Sequence, residues 1–152
     1  MKPTLSMLLI LVASSLTFGQ KSDDRILGKW ITEAGNCLVQ VYREGSEYKA
    51  KILWFDVKGK KPMNEWYDIK NPDMSLRSRK LVGMEVLQGL HYNPQDNEWI
   101  GGSIYDATTG KKWDSVVWMD RNNALKVKGY WLFRWISQTK LFKRVDESTF
   151  KF

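Results

Sequence analysis

The chain has 152 residues, a net charge of +7 at neutral pH and 43% apolar residues. That length suits one domain, which buries roughly 68–70% of its unfolded surface and needs no covalent staple. Cys37 is the only cysteine, so no internal disulfide forms; with His91 as the only histidine, a zinc ligand set is not expected.

Residues 1–19 read as a secretory signal: Lys2, an apolar run over 5–18, then Thr17 and Gly19 before a cut ahead of Gln20. The run is too short for a membrane span and is broken by Ser14, Ser15 and Thr17. No cysteine follows it, which argues against a lipidated terminus. Residues 20–152 are then a single exported domain, periplasmic or secreted, with a charge of 23 − 17 = +6.

Strand signals follow in order. The first spans 26–31 and carries Gly28-x-Trp30; 37–43 and 47–55 form a hairpin around Glu44-Gly45-Ser46. Alternation puts Cys37, Val39 and Val41 on one face, and likewise Tyr48, Ala50, Ile52 and Trp54. Cys37 is therefore expected to be a buried, inert thiol. Residues 56–79 break the rhythm with Gly59, Pro62, Pro72, Trp66, Tyr67, Arg77 and Arg79, and Asp73 is placed to cap a helical turn within 74–80. Connections this long are usually functional or disordered, and the two aromatics argue for order.

Further strands are expected at 83–91, 98–105, 111–119, 124–132 and 138–145. In 98–105, alternation sets Ile100, Gly102 and Ile104 against Trp99, Gly101, Ser103 and Tyr105, and the paired glycines predict strong coiling. Eight such strands make an all-β, antiparallel up-and-down barrel with one long loop (about 56–80) at the rim. Lysines 49, 51, 126, 128 and 140 sit at alternate strand positions, as solvated outer faces do. No reader motif accompanies them, so nucleic-acid binding is not expected.

Several motifs carry a resemblance: Gly28-x-Trp30, Asp68-x-x-Asn71-Pro72-Asp73, Leu76-Arg77-x-Arg79-x-Leu81-x-Gly83, Trp99-x-Gly101-Gly102-x-Ile104-Tyr105-Asp106, Gly110-Lys111 and Gly129-Tyr130. Through them the mature chain resembles the exported bacterial family known as domain of unknown function 2147. Ala107 and Trp113 depart from that family's usual proline and tyrosine. The family in turn is similar to calycins, the lipocalins and fatty-acid-binding proteins. That likeness implies a structural trio of Gly28, Trp30 and Arg144, the arginine lying over the indole at the closed end. It also implies a small apolar or amphipathic ligand.

The candidate ligand-binding residues of the interior and rim are Trp54, Trp66, Tyr67, Arg77, Arg79, Trp99, Tyr105, Trp113 and Trp131. An arginine of the long loop could grip a carboxylate or phosphate headgroup by a forked hydrogen bond; alternatively it pins the loop to Asp68 or Asp73. An eight-stranded barrel is just wide enough to be filled or to hold one small ligand, so the aromatics either line a cavity or close it. No catalytic pair is defended: Cys37 or a serine with His91 lacks flanking motifs, and Asp106 with Asp114 suits turn and lysine pairing. Asp68, Asn71 and Asp73 read as a turn and cap rather than a calcium loop. The expected protein is no enzyme and uses no cofactor or metal. The rival expectation is a ligandless envelope module meeting protein or membrane surface through loops and basic faces. An outer-membrane barrel is a third, disfavoured by Arg144, Asp146 and Ser148 near the chain's end.

Overall fold

The computed structural model describes residues 23–130 and 137–146. The expected signal segment 1–19, Ser148 and the candidate Trp131 lie outside them. Within them are β1 (Gly28–Thr32), β2 (Cys37–Glu44), β3 (Glu47–Phe55), β4 (Glu85–Asn93), β5 (Glu98–Asp106), β6 (Lys111–Met119), β7 (Leu125–Tyr130) and β8 (Ser137–Arg144). Each strand pairs antiparallel with the next, and β8 pairs with β1, giving a closed up-and-down barrel. Closure leaves the described strands no free edge to recruit another chain. The expected helical turn is a short 3-10 turn, Met74–Leu76, capped by Asp73 through the Ser75 amide.

One end is sealed. Ahead of β1 a 3-10 turn, Asp24–Ile26, tucks Ile26 beneath the barrel, where it is fully buried with Trp30, Tyr48, Leu90 and Trp99. Tyr48 meets Trp99 edge-on at 6.4 Å, and Tyr92 lies 5.4 Å from the same indole. Offset and edge-to-face pairs of this kind add stability beyond the area they bury. The Trp30 indole N–H donates to the Ile26 carbonyl at 2.8 Å, so the ring's polar atom is satisfied inside the core.

Arg144 closes this end from outside. Its guanidinium lies 4.2 Å from the Trp30 ring centroid and donates to the carbonyls of Leu27, at 2.7 Å, and Arg25. Gly28 makes the approach possible. Its φ of 127° suits glycine, and a Cβ there would stand 2.7 Å from Arg144 Nη1. Gly-x-Trp is thus a steric arrangement: a bare backbone under a cation, then an indole that the cation covers.

Bulges, among them one in β5 and one in β3, change which side chains face inward. In β5 the register shifts between Trp99, opposite Val117, and Gly102, opposite Ser115. Trp99, Gly102 and Ile104 therefore share the inward face, while Ser103 and Tyr105 point out. The plain two-residue alternation read from sequence put Trp99 with Tyr105, and the extra residue overturns it. In β3, Leu38 pairs with Trp54 but Val39 with Ile52. Trp54 consequently leaves the inward set of Tyr48, Ala50 and Ile52. It lies on the outer wall in a shallow recess with Lys29, Gln40 and Met63.

Candidate functional site: the open end and its rim

The up-and-down path puts the 33–36 turn, the 56–84 connection and the 106–110 turn at the end opposite Arg144. Burial falls toward that end. Most inward residues near the floor are sealed, with Tyr92, Met119 and Phe142 half-buried among them. Toward the rim Cys37, Ile52, Phe55, Ile104, Trp113 and Val127 are all only half-buried although they share the inward face. At Gly129 the missing side chain leaves room beside Trp113 and Ile104, whose nearest atoms lie 3.4 and 3.9 Å from where a Cβ would stand. The interior is thus a cup with an aromatic floor and an accessible apolar upper wall.

Trp113 lines that wall. Trp66 stands at its rim, edge-on to Phe55 at 6.0 Å, with the Lys61 ammonium 4.8 Å from its ring. Tyr67 is exposed beside it. Trp99 faces inward but is sealed in the floor at 0% exposure, so it supports the cup rather than lining its open part.

The second half of the long connection is tied to the outer wall rather than laid across the opening. Asp68, fully buried, accepts from Tyr105 Oη at 2.6 Å through Oδ1. Its Oδ2 accepts from Asn71 Nδ2 at 2.7 Å and Arg79 Nη2 at 2.8 Å. The Asp68 amide donates to the Arg79 carbonyl, and Tyr67 bridges to Lys80. The Lys70 carbonyl settles on Gly110, where a Cβ would lie 2.0 Å away. Between segment and wall runs a groove of about 850 Å³, bordered by Leu76, Arg79, Val86, Gln88 and Lys112.

Both loop arginines take part in this network. Arg79 pins Asp68 and lies over the outward Tyr105 ring at 5.7 Å. Arg77 Nε donates to the Asn71 carbonyl at 2.8 Å. Both arginines hold the loop's own structure, as the alternative reading of the sequence has it for Arg79, and Tyr105 belongs to that clasp instead of the lumen. Burial pushes the Asp68 carboxyl up, but the bonds from Asn71, Tyr105 and Arg79 outweigh it and hold it below the usual range. Burial, then the bond to Asp68, pushes the Tyr105 hydroxyl up to about 12. A carboxylate with three side-chain donors is a structural anchor with little capacity left for a substrate or metal.

Other sequence candidates are apart. Cys37 faces inward near the open end, its thiol raised by burial. His91 lies on the outer face with Nδ1 3.1 Å from the Ser46 carbonyl at the opposite end. Asp106 binds Thr108 and Thr109 in its own turn. Among the described residues, no three His, Cys, Asp or Glu side chains converge on a metal position.

The register also shows a residue that sequence reading misplaced. Thr32 pairs with Phe142 and Trp30 with Arg144, so Phe142 faces in. The unbroken β7–β8 ladder then sets Lys140 opposite Val127 and Gln138 opposite Gly129, both on the inward face. Lys126 and Lys128 point outward as expected, but Lys140 does not. The signal was present in Phe142: the positions two and four residues earlier, which share its face, are Lys140 and Gln138.

Known proteins agree with this architecture. Residues 28–144 match the family described as "Uncharacterized protein conserved in bacteria (DUF2147)". No curated protein matches the chain. A solved structure from Helicobacter pylori, protein HP1028, described as belonging to the lipocalin family, is similar in fold with a TM-score of 0.68. It is 23% identical, and the match covers 81% of this chain and 84% of that one. With the match running from the glycine under Arg144 to Arg144 itself, the chain belongs to the DUF2147 family and has a lipocalin-like fold.

Proposed function

We propose that the protein is an exported carrier that holds a small apolar or amphipathic molecule in the upper half of its barrel, and that it is not an enzyme. The observation that carries this reading is the burial gradient: most inward apolar side chains are sealed at the floor, and those toward the rim are half-exposed. Apolar surface kept accessible inside a closed barrel costs free energy in water, and a ligand that covers it recovers about 25 cal/mol per Å². Trp113 on the wall and Trp66 at the rim supply the aromatic contact. Export, to the periplasm or outside the cell, rests on the 1–19 segment.

Titration of intrinsic tryptophan fluorescence with fatty acids, fatty alcohols and other lipids tests the carrier. A saturable change at one ligand per chain is expected, weakened about ten-fold or more in Gly129→Val, which fills the space beside Trp113. No saturable change across the panel overturns the reading.

A second reading is favoured by one surface feature. Ile69 is 69% exposed and Met74 76%, Tyr67 and Leu76 are exposed in the same segment, and Lys70, Arg77 and Lys80 are interspersed with them along the chain. Exposed apolar side chains interspersed with cations fit an anionic lipid surface. Cosedimentation with phosphatidylglycerol vesicles but not phosphatidylcholine vesicles, lost in Ile69→Ser/Met74→Ser, is the expected result. Equal sedimentation of the double variant removes this reading and leaves the carrier untouched.

A further inference from the structure

We infer that Lys140 is the headgroup-binding residue of the barrel, and that the ligand it selects is an amphiphile with an anionic headgroup on an alkyl chain. The inference rests on the carrier reading and names its ligand class.

Lys140 is singled out by position. Below the rim, where Asp106 and Lys111 pair across β5 and β6 in the inward rows, the inward faces of the described strands are otherwise apolar or uncharged: Val39, Ile52, Ile104, Trp113, Ser115 and Val127 surround the space. Arg144 shares the inward row of β8 but is committed to Trp30 and the Arg25 and Leu27 carbonyls at the sealed end. Lys140 stands two inward positions above it, past Phe142, three residues from the start of β8 at Ser137. At about 3.3 Å per residue that is roughly 10 Å along the strand from its open-end start. Lys140 is exposed, while its partner Val127 on the same inward face packs against the core.

A lysine stem lies readily along an apolar wall while its ammonium stays solvated. An ammonium beside apolar surface suits a carboxylate or phosphate whose alkyl chain covers that surface, since the partly desolvated pair is screened less than one in bulk water. Gln138, the next inward residue toward the rim, adds an amide donor for a second headgroup oxygen. The two loop arginines that the sequence offers for this task lie in the segment on the outer wall, bonded to Asp68 and Asn71.

The test measures binding of oleate, dodecyl phosphate and oleyl alcohol, each below its micelle concentration, to the full chain and to Lys140→Gln and Lys140→Arg. The structure predicts at least ten-fold tighter binding of one or both anions than of the alcohol. The preference falls to about one in Lys140→Gln and is largely kept in Lys140→Arg. Oleate preferred over the phosphate identifies a carboxylate ligand, and the reverse a phosphate. Equal binding of acid and alcohol, or a preference that survives in Lys140→Gln with its thermal midpoint unchanged, overturns the role of Lys140 and leaves the carrier. Failure of the wild-type chain to bind any of the three overturns Lys140 through the carrier itself.

Discussion

Asp68→Ala is expected to lower stability by about 3 kcal/mol and the thermal midpoint by roughly 9–12 °C. The carboxylate has no exposed surface, and its loss strands the Tyr105 hydroxyl and the Asn71 amide in the space they share. Orphaning a buried donor costs about 1–3 kcal/mol. Removing one partner of a buried ion pair costs about 3–5 kcal/mol, but Arg79 keeps 38% of its side chain in water and can rehydrate, which holds the total near the lower bound. For a domain of this size 1 kcal/mol moves the midpoint by about 3–4 °C. Because the clasp ties residues 66–81 to the wall, trypsin should also cut at Lys70, Arg77 or Lys80 much faster in the variant. A midpoint unchanged within error, with unchanged cleavage, contradicts the clasp.

The same cluster sets a pH signature. The Asp68 carboxyl titrates below its ordinary value when folded, so its contribution is full above about pH 4 and fades as acid protonates it. Tyr105 goes the other way. Raised from 10.0 to about 12, it contributes fully below pH 10, and about 2–3 kcal/mol is lost as pH climbs from there through 12. Tyr105→Phe should remove that alkaline loss, measured as thermal midpoint against pH.

Trp30→Ala is expected to cost about 3–5 kcal/mol, the range for emptying a fully buried tryptophan site. The indole fills the floor where β1 closes on β8, bonds Ile26 and supplies the face that Arg144 covers. Trp30→Phe should recover most of the loss, since a ring remains under the cation and only the bond to Ile26 goes. Arg144→Gln should cost about 1 kcal/mol, in keeping with a partly exposed cation–π contact. Urea unfolding of the three variants gives the order. A cost in Arg144→Gln equal to that in Trp30→Ala would make the arginine the keystone instead.

What the sequence determined by itself was the repeating chemistry. Alternating apolar residues punctuated by Glu44-Gly45-Ser46, Asn93-Pro94 and the Asp106–Gly110 turn specify eight antiparallel strands, because pleat period and turn residues act over a few positions. Asp73 as a cap and Cys37 among Val39 and Val41 were legible for the same local reason. Gly28-x-Trp30 was legible through resemblance, though not why it works, since Arg144 lies 116 residues away from the glycine.

Only the tertiary structure decided which way several of those side chains point. A bulge adds one residue and inverts every facing beyond it, so Trp54 moved to the outer wall and Trp99 to the floor. Likewise Asp68, Arg79 and Tyr105 met because the connection folds back on β5, a contact 37 residues long between Asp68 and Tyr105 that no periodicity encodes. Lys140 turned inward because closure of β8 on β1 sets its register, and a ladder between the two ends of a chain is invisible until the barrel is shut.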